Sequence, residues 1–200
     1  MYVLINKSHL LNYNFYLNDP AEVAKKLLGK ILIRKYKNTI LAGKIVETEA
    51  YYSKDDPASR AYKGLNKISE LMFGEVGRLL VYTVHANLLM NIISHKSDEV
   101  GAVLIRALEP INGIREMKIN RGTEDILQLC SGPGKLTKAF EIKKIHHGLD
   151  ITRKNSEIVV IKNNNDKKFE IIKAFRIGVK KDLPRKLRFY VKGNKFVSRK

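Results

Sequence analysis

The sequence predicts a mixed α/β chain of the α+β kind, folded as a single domain over residues 1–200. Three observations lead there. An early segment has helical apolar spacing behind a capping residue. Three pairs of β-branched runs are joined by short polar turns, as in antiparallel hairpins. No internal repeat, low-complexity tract or interdomain linker interrupts them.

The helix starts at Asp19-Pro20, an aspartate that can cap free N–H groups and a proline where a missing N–H costs little. Val23, Ala24, Leu27 and Leu28 then form one apolar face, and Gly29 is a natural stop. Lys30–Tyr36 and Thr39–Tyr52 read as strands of a hairpin about Lys37-Asn38, with Asn able to take positive φ. Residues 53–77 lack periodicity and read as a long basic loop able to contact a substrate. Its Asp55-Asp56-Pro57 signals a turn and reads as a solvated tip rather than a metal site. A second hairpin joins Leu79–Val84 to Leu88–Ser94 and presents His85 and Asn87 at its tip. Asn91 interrupts an apolar run, so its amide either organises the core or reads a ligand.

Gly101–Ala107 is a further strand with Arg106 at its end. A buried arginine needs a carboxylate or an anionic ligand, and Glu49 is the expected partner, with Glu109 the alternative. Ile111–Asn120 reads as a helix. Ser131-Gly132-Pro133-Gly134-Lys135 leads into another over Leu136–Ile142; it does not match a nucleotide-hydrolysing loop, but such a turn either holds a phosphate or simply caps the helix. Ile158–Ile161 and Phe169–Phe175 are expected to pair across Asn163–Asp166. Leu187–Gly193 is a closing strand, Phe196–Ser198 packs, and Arg199-Lys200 fray.

The net charge is +18, from 38 basic and 20 acidic residues, which implies a polyanionic partner, most often nucleic acid. Anionic membranes, or lysine enrichment in an AT-biased genome, are the rival explanations. Apolar residues make up 44 % of the chain, enough for a core, and no apolar run approaches the roughly 18 residues of a membrane span. Met1–Lys7 lacks the pattern of a signal peptide. The sole cysteine, Cys130, excludes an intrachain disulfide and a four-cysteine zinc site. His146-His147 cannot chelate together, and no metal is expected. A cytoplasmic protein is expected, associated with the nucleoid if bacterial.

One strand carries candidate chemistry. By strict alternation Ile45, Glu47, Glu49 and Tyr51 share a face, and Val46, Thr48, Ala50 and Tyr52 share the other. Two carboxylates about 7 Å apart followed by an aromatic are unusual on a core strand. Either the acidic face is solvated or it performs acid–base work.

Several separated stretches together resemble the alkyladenine (3-methylpurine) DNA glycosylases of the mammalian type. They are Pro20–Gly29, Gly43–Tyr51, Arg106–Pro110, Leu129–Leu136, Arg176–Val179 and Leu187–Gly193, in the family's order and spanning nearly the whole chain. The resemblance implies a curved antiparallel sheet flanked by helices, with a protruding β-hairpin that enters the DNA minor groove. It implies a monomeric, monofunctional glycosylase that flips a damaged purine out of double-stranded DNA and hydrolyses its N-glycosidic bond without cofactor. Carried over by position, Glu49 is the general base for water, and Arg106 and the Ile177 carbonyl hold that water. Tyr51 and Tyr82 stack on the base, and Asn91 lines its pocket. Two positions depart from the family. Arg60 stands where histidine usually contacts the base. The hairpin is one residue shorter, which leaves His85 or a neighbour as the intercalating wedge.

The chemistry is consistent from below. A base must leave the stack to be reached, which demands aromatics beside the catalytic group. A glutamate with a reference pKa of about 4.3 is ordinarily ionised at neutral pH, and can both accept a proton and stabilise an oxocarbenium. Alkylation at a ring nitrogen makes the purine cationic, which neutral aromatic faces favour. An inward Arg60 would repel that cation and favour neutral lesions such as hypoxanthine; an outward Arg60 would reach a phosphate. A non-catalytic lesion-binding relative and a basic RNA-associated protein are the alternative functions.

Overall fold

The computed structural model describes residues 9–53, 55–164 and 168–199. The segment read for a signal peptide, Met1–Lys7, lies outside these, as do Asn165 and Asp166 of the proposed turn and Lys200. Among the described residues no helix is long and apolar enough to cross a membrane.

Local chemistry builds the first layer. After a short helix α1 (Tyr13–Tyr16), Asp19 accepts from the N–H groups of Ala21 and Glu22 at 2.8 and 3.2 Å and starts α2 (Pro20–Leu27). The expected face of α2 is buried, and Gly29 follows at φ +83°. The strands β1 (Ile31–Tyr36) and β2 (Thr39–Tyr51) form the expected hairpin, although Lys37, not Asn38, takes the positive φ. A second hairpin joins β3 (Leu79–Val84) to β4 (Asn87–Ile93). Its two-residue tip is His85-Ala86, both at positive φ, the backbone that matches strand twist. Asn87, expected at the tip, is the first residue of β4.

β5 (Ala102–Asn112) extends beyond the predicted strand and runs through Pro110, which places Arg106 mid-strand. The next helix, α3 (Ile114–Arg121), therefore starts later than expected, after Gly113 at φ +74°. α4 (Pro133–Ala139) follows the glycine-rich turn. β6 (Ile158–Ile161), β7 (Ile171–Ala174) and β8 (Arg188–Val191) complete the sheet.

The strands form one curled, antiparallel, half-barrel sheet in the order β3-β4-β5-β2-β1-β6, with β8 added to β2 and β7 to β8. The predicted pairing of Ile158–Ile161 with Phe169–Phe175 does not form. β6 pairs with β1, and β7 with β8. Burial outweighs the local turn signal: all four residues of β6 are buried, whereas β7 is half exposed at the sheet's end.

β2 is the axis of this arrangement. One edge pairs with β5. The other pairs with β1 over Thr39–Lys44 and with β8 over Glu47–Glu49. The β2–β5 pairing slips twice at the change-over: it passes from Ile45↔Leu108 to Glu47↔Ala107, then to Thr48↔Ile105, skipping Val46 and Arg106. Such bulges re-aim side chains. Consequently Ile45 and Val46 both enter the main core, and the strict alternation read from sequence fails at Ile45. That core also takes Val23 and Leu27 of α2 and Leu136 of α4, with Phe140 beyond it.

Gly101 sits where α2, β2 and the segment after β4 converge. A Cβ there would lie 2.5 Å from Pro20 Cγ, 2.8 Å from the Ser94 carbonyl oxygen and 3.0 Å from that of Tyr51. Gly101→Ala is expected to cost about 1–3 kcal/mol. The urea midpoint should fall with an unchanged slope; an unchanged midpoint would mean that these backbones separate freely.

Candidate active site

Strand β2 delivers two fully buried carboxylates, Glu47 and Glu49, so the solvated acidic face is excluded. Burying a carboxylate is costly unless donors replace its water. Glu49 has three: its Oε1 accepts from Ile177 N–H at 2.8 Å, and its Oε2 accepts from Tyr51 O–H at 2.9 Å and from Arg106 at 3.2 Å. All three are donors, suited to an acceptor-only ionised carboxylate, whose two oxygens offer about four lone-pair sites. Burial pushes the Glu49 pKa upward, and Arg106, the Ile177 amide and Tyr51 restrain that rise.

Glu47 is the companion. Its Oε1 accepts from Arg106 Nε and from Arg188, both at 3.0 Å, and its Oε2 accepts from Ser198 N–H at 2.7 Å. Arg106 thus bridges both carboxylates, and the expected Arg106–Glu49 pair is half of its role. The alternative partner, Glu109, pairs with Lys44 at 2.9 Å instead. Burial opposes the charge of Arg106, but Glu49 and Glu47 hold its pKa above the ordinary value.

Tyr51, Arg106 and Ile177, the three donors to Glu49, all line one open cleft of 590 Å³. Tyr82 and Arg60, His85 from the hairpin tip, and Gly132-Pro133-Gly134-Lys135 line it too. The sequence-predicted residues are therefore brought together, with three qualifications. Ile177 meets Glu49 through its N–H, in the bend before Gly178 at φ +75°, a contact additional to the water-holding role expected of its carbonyl. Asn91 is buried in β4, donates to the Leu80 carbonyl at 3.2 Å and is not among the cleft-lining residues, although its cross-strand neighbour Leu104 is. Arg60 is exposed yet does not swing clear: its guanidinium lies 4.9 Å from the Tyr82 ring centroid, within the cleft wall.

Sequence reasoning missed a second buried ionic cluster. Asp56, expected at a solvated tip, is fully buried and takes a two-pronged contact from Arg176, at 2.6 Å on each oxygen. Arg176 also donates to Asp182 and to the Ala50 carbonyl, and its guanidinium stacks 4.5 Å from the Tyr51 ring centroid. It therefore braces the tyrosine that braces Glu49. Only a partner for Arg176 could have revealed Asp56, and the two are 120 positions apart. Among the described residues no group of three or more His, Cys, Asp or Glu could hold a metal ion.

Residues 14–195 match the family model described as methylpurine-DNA glycosylase (MPG). A Francisella tularensis protein is 42 % identical over 182 residues, covering 90 % of this chain and 93 % of its own. One from Carboxydothermus hydrogenoformans is 42 % identical over 194 residues, covering 96 % and 100 %. A third, from Mesorhizobium japonicum, is 40 % identical over 182 residues, covering 90 % and 86 %. Each is named "Putative 3-methyladenine DNA glycosylase", and all three are bacterial.

The raised pKa of Glu49 has a stability consequence. A carboxyl harder to ionise in the folded than in the unfolded chain makes stability fall as pH rises from the unfolded pKa, about 4.3, toward the folded one. Glu49→Gln escapes that loss. Its melting temperature at neutral pH is expected at or above the wild-type value, with the gap shrinking below about pH 4. A markedly lower melting temperature would show that pairing with Arg106 outweighs burial. Asp56→Ala, in contrast, strips Arg176 of its two-pronged partner and is expected to destabilise by about 3 kcal/mol in urea unfolding.

Proposed function

The chain belongs to the methylpurine-DNA glycosylase family, and on that premise we propose that it is a monofunctional, monomeric glycosylase for damaged purines in double-stranded DNA, of the 3-methyladenine class. It flips an alkylated or deaminated purine into the cleft and hydrolyses the N-glycosidic bond with a water activated by Glu49. One observation carries the reading: the buried Glu49 is held by three donors, Tyr51 among them, that all line one cleft with a second tyrosine, Tyr82.

In this reaction the flipped base stacks against Tyr51 and Tyr82. With three acceptor positions of Glu49 filled, one on Oε1 is left for an O–H of the attacking water. The water oxygen bonds to the sugar carbon, its proton passes to Glu49, and the bonding pair leaves with the purine. Glu49 also faces the positive charge that develops on the sugar. Arg106 keeps the carboxylate ionised and oriented. The β3–β4 hairpin enters the minor groove with His85 at its tip as the wedge. The charge of +18 provides backbone affinity that falls steeply with salt. Such a substrate sets the protein in the cytoplasm, at the nucleoid in a bacterium. The mammalian-type pattern describes the arrangement of these residues, which bacterial relatives are expected to share.

Single-turnover release of hypoxanthine and 3-methyladenine from duplex DNA tests the reading. Wild type is expected to release base, Glu49→Gln to be slower by at least about 10²-fold, and Arg106→Ala to show a comparable fall in the chemical step. Tight lesion binding without release would favour a lesion-binding relative, and a preference for RNA would overturn the proposal. Full activity in Glu49→Gln would remove the mechanism even with the activity intact.

Arg60 is expected to set lesion preference. Its guanidinium adds positive charge to the Tyr82 face on which a cationic N-alkylated purine would stack. Arg60→Ala should raise the release rate for 3-methyladenine relative to hypoxanthine by about fivefold. An equal effect on both would assign Arg60 to the DNA backbone.

A further inference from the structure

Arg106 reaches Glu49 with one nitrogen only. Its Nε is held by Glu47 at 3.0 Å, and its Nη2 donates to Ser198 Oγ at 3.2 Å. Ser198 lies in the segment after β8 and is itself fastened by its N–H to Glu47 Oε2 at 2.7 Å. The same segment is held at two further points. Val197 packs into the main core, and the carbonyl of Arg199, in the terminal pair expected to fray, accepts from Arg188 at 2.8 Å. Arg188 in turn donates to Glu47 at 3.0 Å and to the Phe175 carbonyl at 3.1 Å, two residues before the Ile177 amide that holds Glu49.

A planar guanidinium held at three nitrogens cannot rotate in its plane or tip out of it. Held only at Nε and Nη1, it can pivot about the line joining those two contacts. We propose that Ser198 is a positioning residue for base excision: its hydroxyl, anchored through Glu47, fixes the third nitrogen of Arg106 and so keeps Arg106 and Glu49 aligned for the attacking water. The inference rests on the assignment of Glu49 and Arg106 to the reaction. It makes the segment 197–199 part of the active site although it lines no part of the cleft.

Ser198 is partly exposed and its side chain fills no core space, so its truncation should leave the fold intact. Ser198→Ala is expected to slow single-turnover base release about tenfold, in line with a hydrogen bond to a charged group, with lesion-duplex affinity and melting temperature near wild type. The acidic limb of the pH–rate profile should move to higher pH. Glu49 is faced by Glu47 and Tyr51 on its own strand, Arg106 on β5 and the Ile177 amide, with Arg176 behind Tyr51, and a looser Arg106 restrains its pKa less. Ser198→Thr, which keeps the hydroxyl, should restore both rate and profile. A wild-type rate in Ser198→Ala, while wild type releases base and Glu49→Gln does not, would overturn this inference alone. So would a parallel fall in rate, affinity and melting temperature that threonine fails to reverse. A wild-type protein that releases no base would overturn the reading beneath it, and this inference with it.

Discussion

Two carboxylates buried side by side on one strand are the constraint on which the rest of this structure depends. Glu47 and Glu49 each lose their water on folding, a loss of several kcal/mol per ion unless charges and donors replace it. Arg106 and Arg188 provide the matching cations, one from each strand flanking β2. Arg188 could not serve if β2 kept β1 as its single partner on that edge, nor Arg106 if the β2–β5 pairing stayed regular. The change-over from β1 to β8 brings Arg188 into register with Glu49, and the slip in β5 frees Arg106 from the regular pairing. The irregular centre of the sheet is thus the consequence of putting acids inside it.

The aromatic residues are tied into the same scheme. Tyr51 donates to Glu49, while Arg176 lies on its ring and is itself held by Asp56 and Asp182. The loop carrying Asp56 follows β2, and the segment carrying Arg176 and Asp182 links β7 to β8. Two irregular segments are therefore pinned to the end of β2 by one guanidinium. Burial and the neighbouring Glu49 carboxylate push the Tyr51 phenol well above its ordinary pKa, so it remains a donor. A ring fixed at its hydroxyl and over its face has little freedom, which suits a rigid stacking surface.

Much of this was legible in sequence wherever the information is local. The β-branched and aromatic run Ile45–Tyr52 marked the strand, and Glu49-x-Tyr51 set a carboxylate beside an aromatic. Val103-Leu104-Ile105 before Arg106 signalled a buried cation in need of an acid. What escaped depends on partners far apart in the chain. The equal claim of Glu47 on Arg106 requires knowing where β5 slips. The burial of Asp56 requires Arg176. The rejected β6–β7 hairpin was a sound local reading of an asparagine-rich turn, overruled because Ile158–Ile161 bury completely only beside β1. Pairing that spans the whole chain leaves no local signature, whereas periodicity and turn chemistry do.

Charge matching also reconciles two demands that conflict on the proposed reaction. A polyanion must approach, which exposed carboxylates in the cleft would oppose, yet a cationic sugar must be stabilised, which needs a carboxylate close by. Paired charges satisfy both, because their fields cancel at a distance and not at contact. Beyond a Debye length of about 8 Å the Glu49–Arg106 and Glu47–Arg188 pairs are nearly silent, and the approaching backbone meets the net positive surface. Within hydrogen-bonding distance of Oε1 the local carboxylate dominates, in a site where burial weakens screening. The same cancellation limits how far the pKa of Glu49 can climb, since Arg106 opposes the effect of burial. Attraction of DNA and stabilisation of the sugar cation are thereby separated by distance rather than by different residues, and the buried arginines make that separation possible.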